Sequence, residues 1–351
     1  MPGLEVSVNP AMWKKALRVI PSVSMETWGT LDLVSKWLIS SRAAVLVMTF
    51  TSSAIAGLFA ARDGGFRILP WLLMTLGLML GHAANNLFND YTDFVRGVDK
   101  DNYYRTMYGP QPVAHGLMTT RQLLGYFGVT GAMVIACVIL VLALDDWDPM
   151  IIVLFAIGAA FVLFYTWPLK YVGMGEISVL AVWGPLMIGG GYYVLTRHWS
   201  WQVVWGSAPY VLGVTTVILG KHIDKAGMDR EKGIMTLPVL IGEAAARYLV
   251  VAFLLAPYVL IAFLIVSRSF TPALAIVLLA VPALVREIPA FFSPKPETRP
   301  EGFPDGEGGW PLFFAPKAFL YTRSFGTWFL LGLVAEVALR ILVPDFWRQV
   351  T

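Results

Sequence analysis

Apolar positions fill this chain in long unbroken blocks, with charged residues confined to the gaps between them. Eight stretches lack any Asp, Glu, Lys or Arg: 43–61, 68–89, 122–144, 149–169, 177–196, 198–220, 248–267 and 269–285. Each is 17 to 23 residues long, close to the roughly 20 residues that a helix needs to cross a bilayer. A ninth block follows Arg323 and carries one charge, Glu336, within 324–339. Alternation of the kind that builds sheets is not sustained anywhere. The pattern predicts an all-α, polytopic membrane protein with about nine transmembrane helices.

Composition narrows this further. Apolar residues make up 57% and charged residues 14%, against roughly 25% charged in soluble domains, which excludes a water-soluble globule. The single cysteine, Cys137, excludes an internal disulfide. The net charge of +3 is small, so the placement of cations is more informative. With a cytosolic N-terminus, 20 of the 26 Lys and Arg fall on the cytosolic side, leaving Arg62, Arg67, Arg197, Arg268, Arg340 and Arg348 opposite. That bias predicts a multi-pass protein of the cytoplasmic membrane. Residues 1–35 are expected to form an N-terminal cytosolic or interfacial segment, with Ala11–Ile20 either a short interfacial helix or an unstructured tail. Residues 36–345 form the transmembrane domain. Pro2, Pro10 and Pro21 with scattered charges argue against a cleavable signal peptide, and the Pro- and Gly-rich stretch 293–309 reads as an exposed loop.

Two polar clusters interrupt this apolar background. His82, Asn86, Asn89, Asp90 and Asp93 recur at helical spacing, which places them on one face of the second span. A polar stripe in a lipid-compatible helix must face a cavity or another helix. The sixth span ends in Lys221-His222-x-Asp224-Lys225, followed by Asp229-Arg230 and Lys232. Carboxylates at one membrane depth on two helices suit a hard divalent cation through oxygen ligands, and Mg²⁺ completes its shell with phosphate oxygens and water. The interleaved cations point to a phosphorylated substrate.

At these residues a resemblance becomes specific. Asn89-Asp90-x-x-Asp93 with Gly97 and Asp99 resembles the first aspartate-rich motif of the UbiA-type intramembrane aromatic prenyltransferases. It is most similar to the branch that prenylates 1,4-dihydroxy-2-naphthoate on the way to menaquinone. Tyr165-Thr166-x-Pro168-Leu169-Lys170 through Gly175-Glu176 resembles the loop between the family's fourth and fifth helices, and Gly190-Gly191-Tyr192-Tyr193 its fifth helix. Asp229-Arg230-x-x-Gly233-x-x-Thr236-Leu237 resembles its second aspartate motif. Two departures stand out. A Lys, Lys225, occupies the position of the second motif's first acid, with Asp224 one residue early, so either Gly227 breaks the helix and frees Asp224 or a cation has replaced a ligand. Many relatives also carry an Arg at or near Gln111, a place that Arg105 could fill.

The resemblance implies helices arranged round a central cavity open to the cytosol, with the active site on that side. It implies an allylic prenyl diphosphate as donor, an aromatic acceptor, Mg²⁺ as cofactor and membrane lipid as surroundings, with no nucleic acid; the oligomeric state is left open. Asn89, Asp93 and Asp229 would hold the metal, with Asp99 and Asp224 as further ligands. Asn86, Asp90, Arg96, Lys100, Lys170, Lys221, His222, Arg230, Lys232 and Tyr192 would bind substrate. Asp93, Asp229, Lys225 and Tyr165 would carry the reaction, the rings of Tyr91, Tyr165, Tyr192 and Tyr193 being suited to facing a carbocation. His82, His115 and His222 are candidates to deprotonate the acceptor. Other rings, a lipid or a carotenoid are alternative acceptors. An ion-coupled transporter is the rival from outside the class, and would place its acids near span centres.

Overall fold

The computed structural model describes residues 7–98, 109, 111–304, 307 and 309–343. Three short helices lead: α1 (Pro10–Ala16), α2 (Met25–Thr30) and α3 (Leu33–Ser40). The apolar blocks then become α4 (Ala43–Arg62), α5 (Ile68–Val95), α6 (Thr120–Leu144), α7 (Pro149–Phe164), α8 (Gly175–Thr196) and α9 (Trp201–Glu231). A short turn, α10 (Leu237–Ile241), leads into α11 (Glu243–Val266), α12 (Pro272–Phe292) and α13 (Phe314–Leu342). Among the described residues eight helices are long and apolar enough to cross a membrane, and α7 is a shorter apolar one. No strand occurs among them.

Polar residues start the helices where the first amides lack intrahelical partners. Asn9, Asp32, Thr119, Asp148 and Ser200 each accept a backbone N–H of the turn they precede, and Thr119 with Gln122 forms a reciprocal capping box. Asp32 also holds α1 to α3. Its carboxylate accepts the Asn9 amide and the Trp13 indole N–H at 3.0 Å each, and the Ser35 hydroxyl at 2.7 Å. Burial works to raise its pKa, yet these hydrogen bonds hold the carboxyl well below the usual range.

Helix α9 lies between α11 and α13, and α13 also meets α4 and α12. The seam is aromatic, with Tyr210, Tyr321, Phe325 and Phe329 fully buried. Close approach depends on Gly220: a Cβ there would come within 3.0 Å of the Phe314 and Ala315 backbone. Helices α6 and α7 are by contrast largely uncovered, and Ile151 is the one buried residue of α7. Helix α8 widens into a π-helix over Val182–Gly189, around Pro185, which has no amide hydrogen to donate.

Successive helices alternate in direction, so the end of α5, the end of α9 and the start of α13 share one face, called near below. Arg62, Arg67, Arg197 and Arg340 gather at the far face. Glu336, the lone charge of the last block, is fully buried there. It accepts the Thr271 amide at 2.8 Å, at the start of α12, and Arg340 Nε at 2.7 Å. The stretch 293–309 is a loop as expected, and most of its described residues are exposed. Pro294, Pro300, Phe303 and Pro304 form part of a cavity wall, and Phe303 packs on Phe313 with ring centroids 5.5 Å apart.

Candidate active site

A cavity of about 1500 Å³ runs between α5, α6, α7 and α8 and reaches the near face at Arg18, Ile20 and Phe303. Its walls are mostly aliphatic: Leu73, Leu78, Val138, Leu154 and Phe155 are typical. Polar side chains collect toward its near end, where Arg42, His82, Asn85, Asn86, Asn89, Tyr165 and Lys221 line it.

The polar stripe of α5 forms as its spacing requires. Asn86, Asn89, Asp90 and Asp93 are all buried, and each finds a different neighbour. Asn86 Nδ2 donates to the Ser41 carbonyl at 2.8 Å. Arg42, at the start of α4, pairs with Asp90. Lys170 donates to Asp93 at 2.9 Å. Asn89 Oδ1 is buried without a hydrogen-bond partner among the described residues, an acceptor whose desolvation none of them offsets.

On α9, Lys225 and Asp229 are buried one turn apart, Nζ 3.9 Å from Oδ1. Lys232 donates to the carbonyls of Gly97 (3.3 Å) and Val98, tying the end of α9 to the segment after α5. Arg96 stacks over Trp167 (4.3 Å) and Tyr171 (5.6 Å). Burial pushes the Tyr171 phenol up, so it is a neutral ring at neutral pH.

Several expectations need correction. Helix α9 runs unbroken through Gly227 to Glu231, so Asp224 is not released toward the other acids. Its carboxylate accepts the backbone amides of Phe313, Phe314 and Ala315 at 3.0–3.1 Å and so caps the start of α13. A carboxylate holding three N–H groups has little left for a metal. Tyr192 lies at the far face, its hydroxyl donating to Asp63 at 2.8 Å, and Tyr193 likewise donates to Asp148. Tyr91 stacks on Phe88. Arg230 is exposed, and its side chain forms no hydrogen bond or ion pair among the described residues. His222 is occupied by Glu176, Nδ1 to Oε1 at 2.7 Å. Asp99, Lys100 and Arg105 lie outside the described residues.

The sequence reading missed Arg42, Glu176 and Trp183. The first two had a signal, since each is the charge that borders an apolar block. Trp183, whose indole N–H is buried without a partner, had none.

Among the described residues no three His, Cys, Asp or Glu side chains converge into a ready-made metal site. The donors near this end are nevertheless of the kind that suits a hard cation: the Asn89 oxygen, which lines the cavity, and the buried Asp93 and Asp229 carboxylates on the same face of the bundle.

Residues 50–315 match the UbiA prenyltransferase family. The chain belongs to that family. The "UbiA prenyltransferase domain-containing protein 1 homolog" of Drosophila melanogaster is 26% identical over 239 residues, 66% of this chain and 65% of that protein. The match therefore spans just under two thirds of that relative's length. The 1,4-dihydroxy-2-naphthoate octaprenyltransferase of Bacillus subtilis is 26% identical over 287 residues, 79% of this chain and 86% of that enzyme. A UbiA homolog from Archaeoglobus fulgidus, solved bound to GPP and Mg²⁺, superposes with a TM-score of 0.55 at 14% identity, over 86% of this chain and 99% of that one. At that identity the likeness establishes the fold.

Proposed function

We propose that this prenyltransferase moves a prenyl group from an allylic prenyl diphosphate to an aromatic ring in the membrane, with 1,4-dihydroxy-2-naphthoate as the first acceptor to test. The observation that carries the reading is the joining of an oxygen- and cation-rich head to a long apolar cavity. A prenyl diphosphate has the same two halves. The octaprenyltransferase relatives of Bacillus subtilis and Escherichia coli support the naphthoate ring, and the archaeal homolog's GPP and Mg²⁺ support the donor and the cofactor.

In this reading Asn89, Asp93 and Asp229 would hold Mg²⁺. Bound there, Mg²⁺ neutralises charge on the diphosphate and makes it a better leaving group. Lys170 and Lys225, each already beside one of these acids, exchange part of that contact for phosphate oxygens and stabilise the charge that develops as the C1–O bond breaks. Tyr165 and Trp183 offer ring faces to the allylic cation. The aliphatic walls take the isoprenoid tail and exclude water, each buried CH₂ contributing about 0.8 kcal/mol. The excess of cations on the near face supports placing this site on the cytosolic side.

Mass spectrometry tests the reading directly. Purified protein incubated with Mg²⁺, mixed prenyl diphosphates and a panel of ring acceptors should yield a prenylated ring, EDTA should stop the reaction, and added Mg²⁺ should restore it. Full turnover in metal-free buffer would instead assign diphosphate capture to Lys and Arg alone.

A further inference from the structure

Two nitrogen groups sit where an isoprenoid tail alone would leave them unserved. His82 lines the cavity on α5, seven residues before Asn89, which is about 10 Å deeper along the helix. Its Nδ1 lies 2.7 Å from the hydroxyl of Thr49, a fully buried residue of α4. Its Nε2 has no partner among the described residues. The Trp183 ring meets the His82 ring edge-on, centroids 5.6 Å apart, and the Trp183 N–H is likewise unpaired. The Trp183 N–H is buried, and leaving such a group unpaired costs about 1–3 kcal/mol; His82 is half-buried and lines the cavity, and a hydrocarbon tail offers neither nitrogen a partner. A hydroxylated ring does.

Resting on the prenyl-transfer reading, we propose that His82 is the catalytic residue that receives the acceptor. Thr49 fixes the ring by accepting from Nδ1–H, so that Nε2 presents its lone pair to a ring hydroxyl lying beside Trp183. As the ring carbon bonds to C1 of the donor, the hydroxyl proton passes to Nε2. The C1–O bond breaks with its electron pair leaving on the diphosphate. The attacked carbon then loses its proton to water or its carboxylate as CO₂, the bonding pair returns to the ring and restores aromaticity, and Nε2 gives its proton back to the ring oxygen. The position fits the order of the groups, since the acceptor must lie on the apolar side of the diphosphate, next to C1. Arg42 and Lys221 line the cavity as well.

The test uses the full chain in lipid with Mg²⁺, geranyl diphosphate and 1,4-dihydroxy-2-naphthoate, and reads each substrate separately. His82→Phe should lower kcat/KM for the naphthoate at least 100-fold while the Kd for geranyl diphosphate stays within twofold. His82→Gln, which keeps a polar atom near the Nε2 position without a usable base, should recover the naphthoate KM but not kcat. Methylating the ring hydroxyls should cost the wild type about as much as His82→Phe costs the free naphthoate, and the two losses should not add. A kcat/KM within threefold of wild type in His82→Phe overturns the proposal. So does an equal loss of geranyl diphosphate binding, which would mark His82 as structural. No product from the unmutated chain with any ring in the panel overturns the function reading and this proposal with it, whereas product formation with an indifferent His82 overturns this proposal alone.

Discussion

Both faces of the bundle pair buried acids with cations, and they do so differently. At the far face Arg67 reaches Asp145 at 2.6 Å and also donates to the Val194 and Leu195 carbonyls. Arg197 shares Asp145 at 2.9 Å and pairs with Asp148, which takes the Tyr193 hydroxyl as well. Planar guanidinium forks fix the geometry of several acceptors at once. At the near face the buried acids Asp93 and Asp229 meet Lys instead, at 2.9 and 3.9 Å, and Asn89 keeps an oxygen unpaired. A lysine is a point charge on a flexible stem. The far network is built to stay closed, and the near one leaves contacts that a ligand can take over.

The sharpest break of this comparison is at Asp93. Asp93→Ala should reduce product formation by about 100-fold or more while the melting temperature in detergent stays close to wild type. Turnover near the wild-type rate would remove Asp93 from the metal site. Asp145→Ala should do the reverse. It leaves Arg67 and Arg197 facing a lost carboxylate, and because both are about a third exposed the cost should be about 2–3 kcal/mol, below the figure for a fully buried pair. Protein that survives should turn over normally. Inactive Asp145→Ala protein with an unchanged melting curve would show that the far face belongs to the machinery.

How much of this was legible in the sequence depends on the range of the contact. The spans are set by the absence of charge, a local property, and so is the α5 stripe, whose spacing of four and three residues places Asn86, Asn89 and Asp93 together. Partners from distant segments are another matter. Nothing near Asp224 says that residues 313–315 fold back onto it, so the matched motif marked it as a ligand. Tyr192 shows the opposite case. It lies 17 residues into a 22-residue span, so helix direction alone places it at the other membrane face from Glu176, a signal the motif match obscured.

Two smaller effects sharpen the contrast. Asp224→Ala should destabilise the protein by about 2 kcal/mol, as loss of a helix cap does, and leave the EDTA midpoint of activity where it was. A shifted midpoint would return Asp224 to the ligands. Lys225→Ala should raise the KM for prenyl diphosphate and lower kcat, together by about tenfold, or 1.4 kcal/mol. If Lys225 and Asp229 form only an i,i+4 surface-type pair of about 0.2–0.5 kcal/mol, steady-state kinetics will not change.

Because Asp224 is spent on the start of α13, the charge around the cavity head does not cancel. Among the described charged residues that line the cavity, Arg18, Arg42, Lys221, Arg286, Lys317 and Arg323 outnumber Glu287, Glu301 and Glu307. Such a cavity head draws polyanions in from solution. The capture rate of a diphosphate then becomes a long-range property, faster at low ionic strength and slowed as salt brings the Debye length down toward 8 Å and below, while the rate of the bonded steps stays as it was.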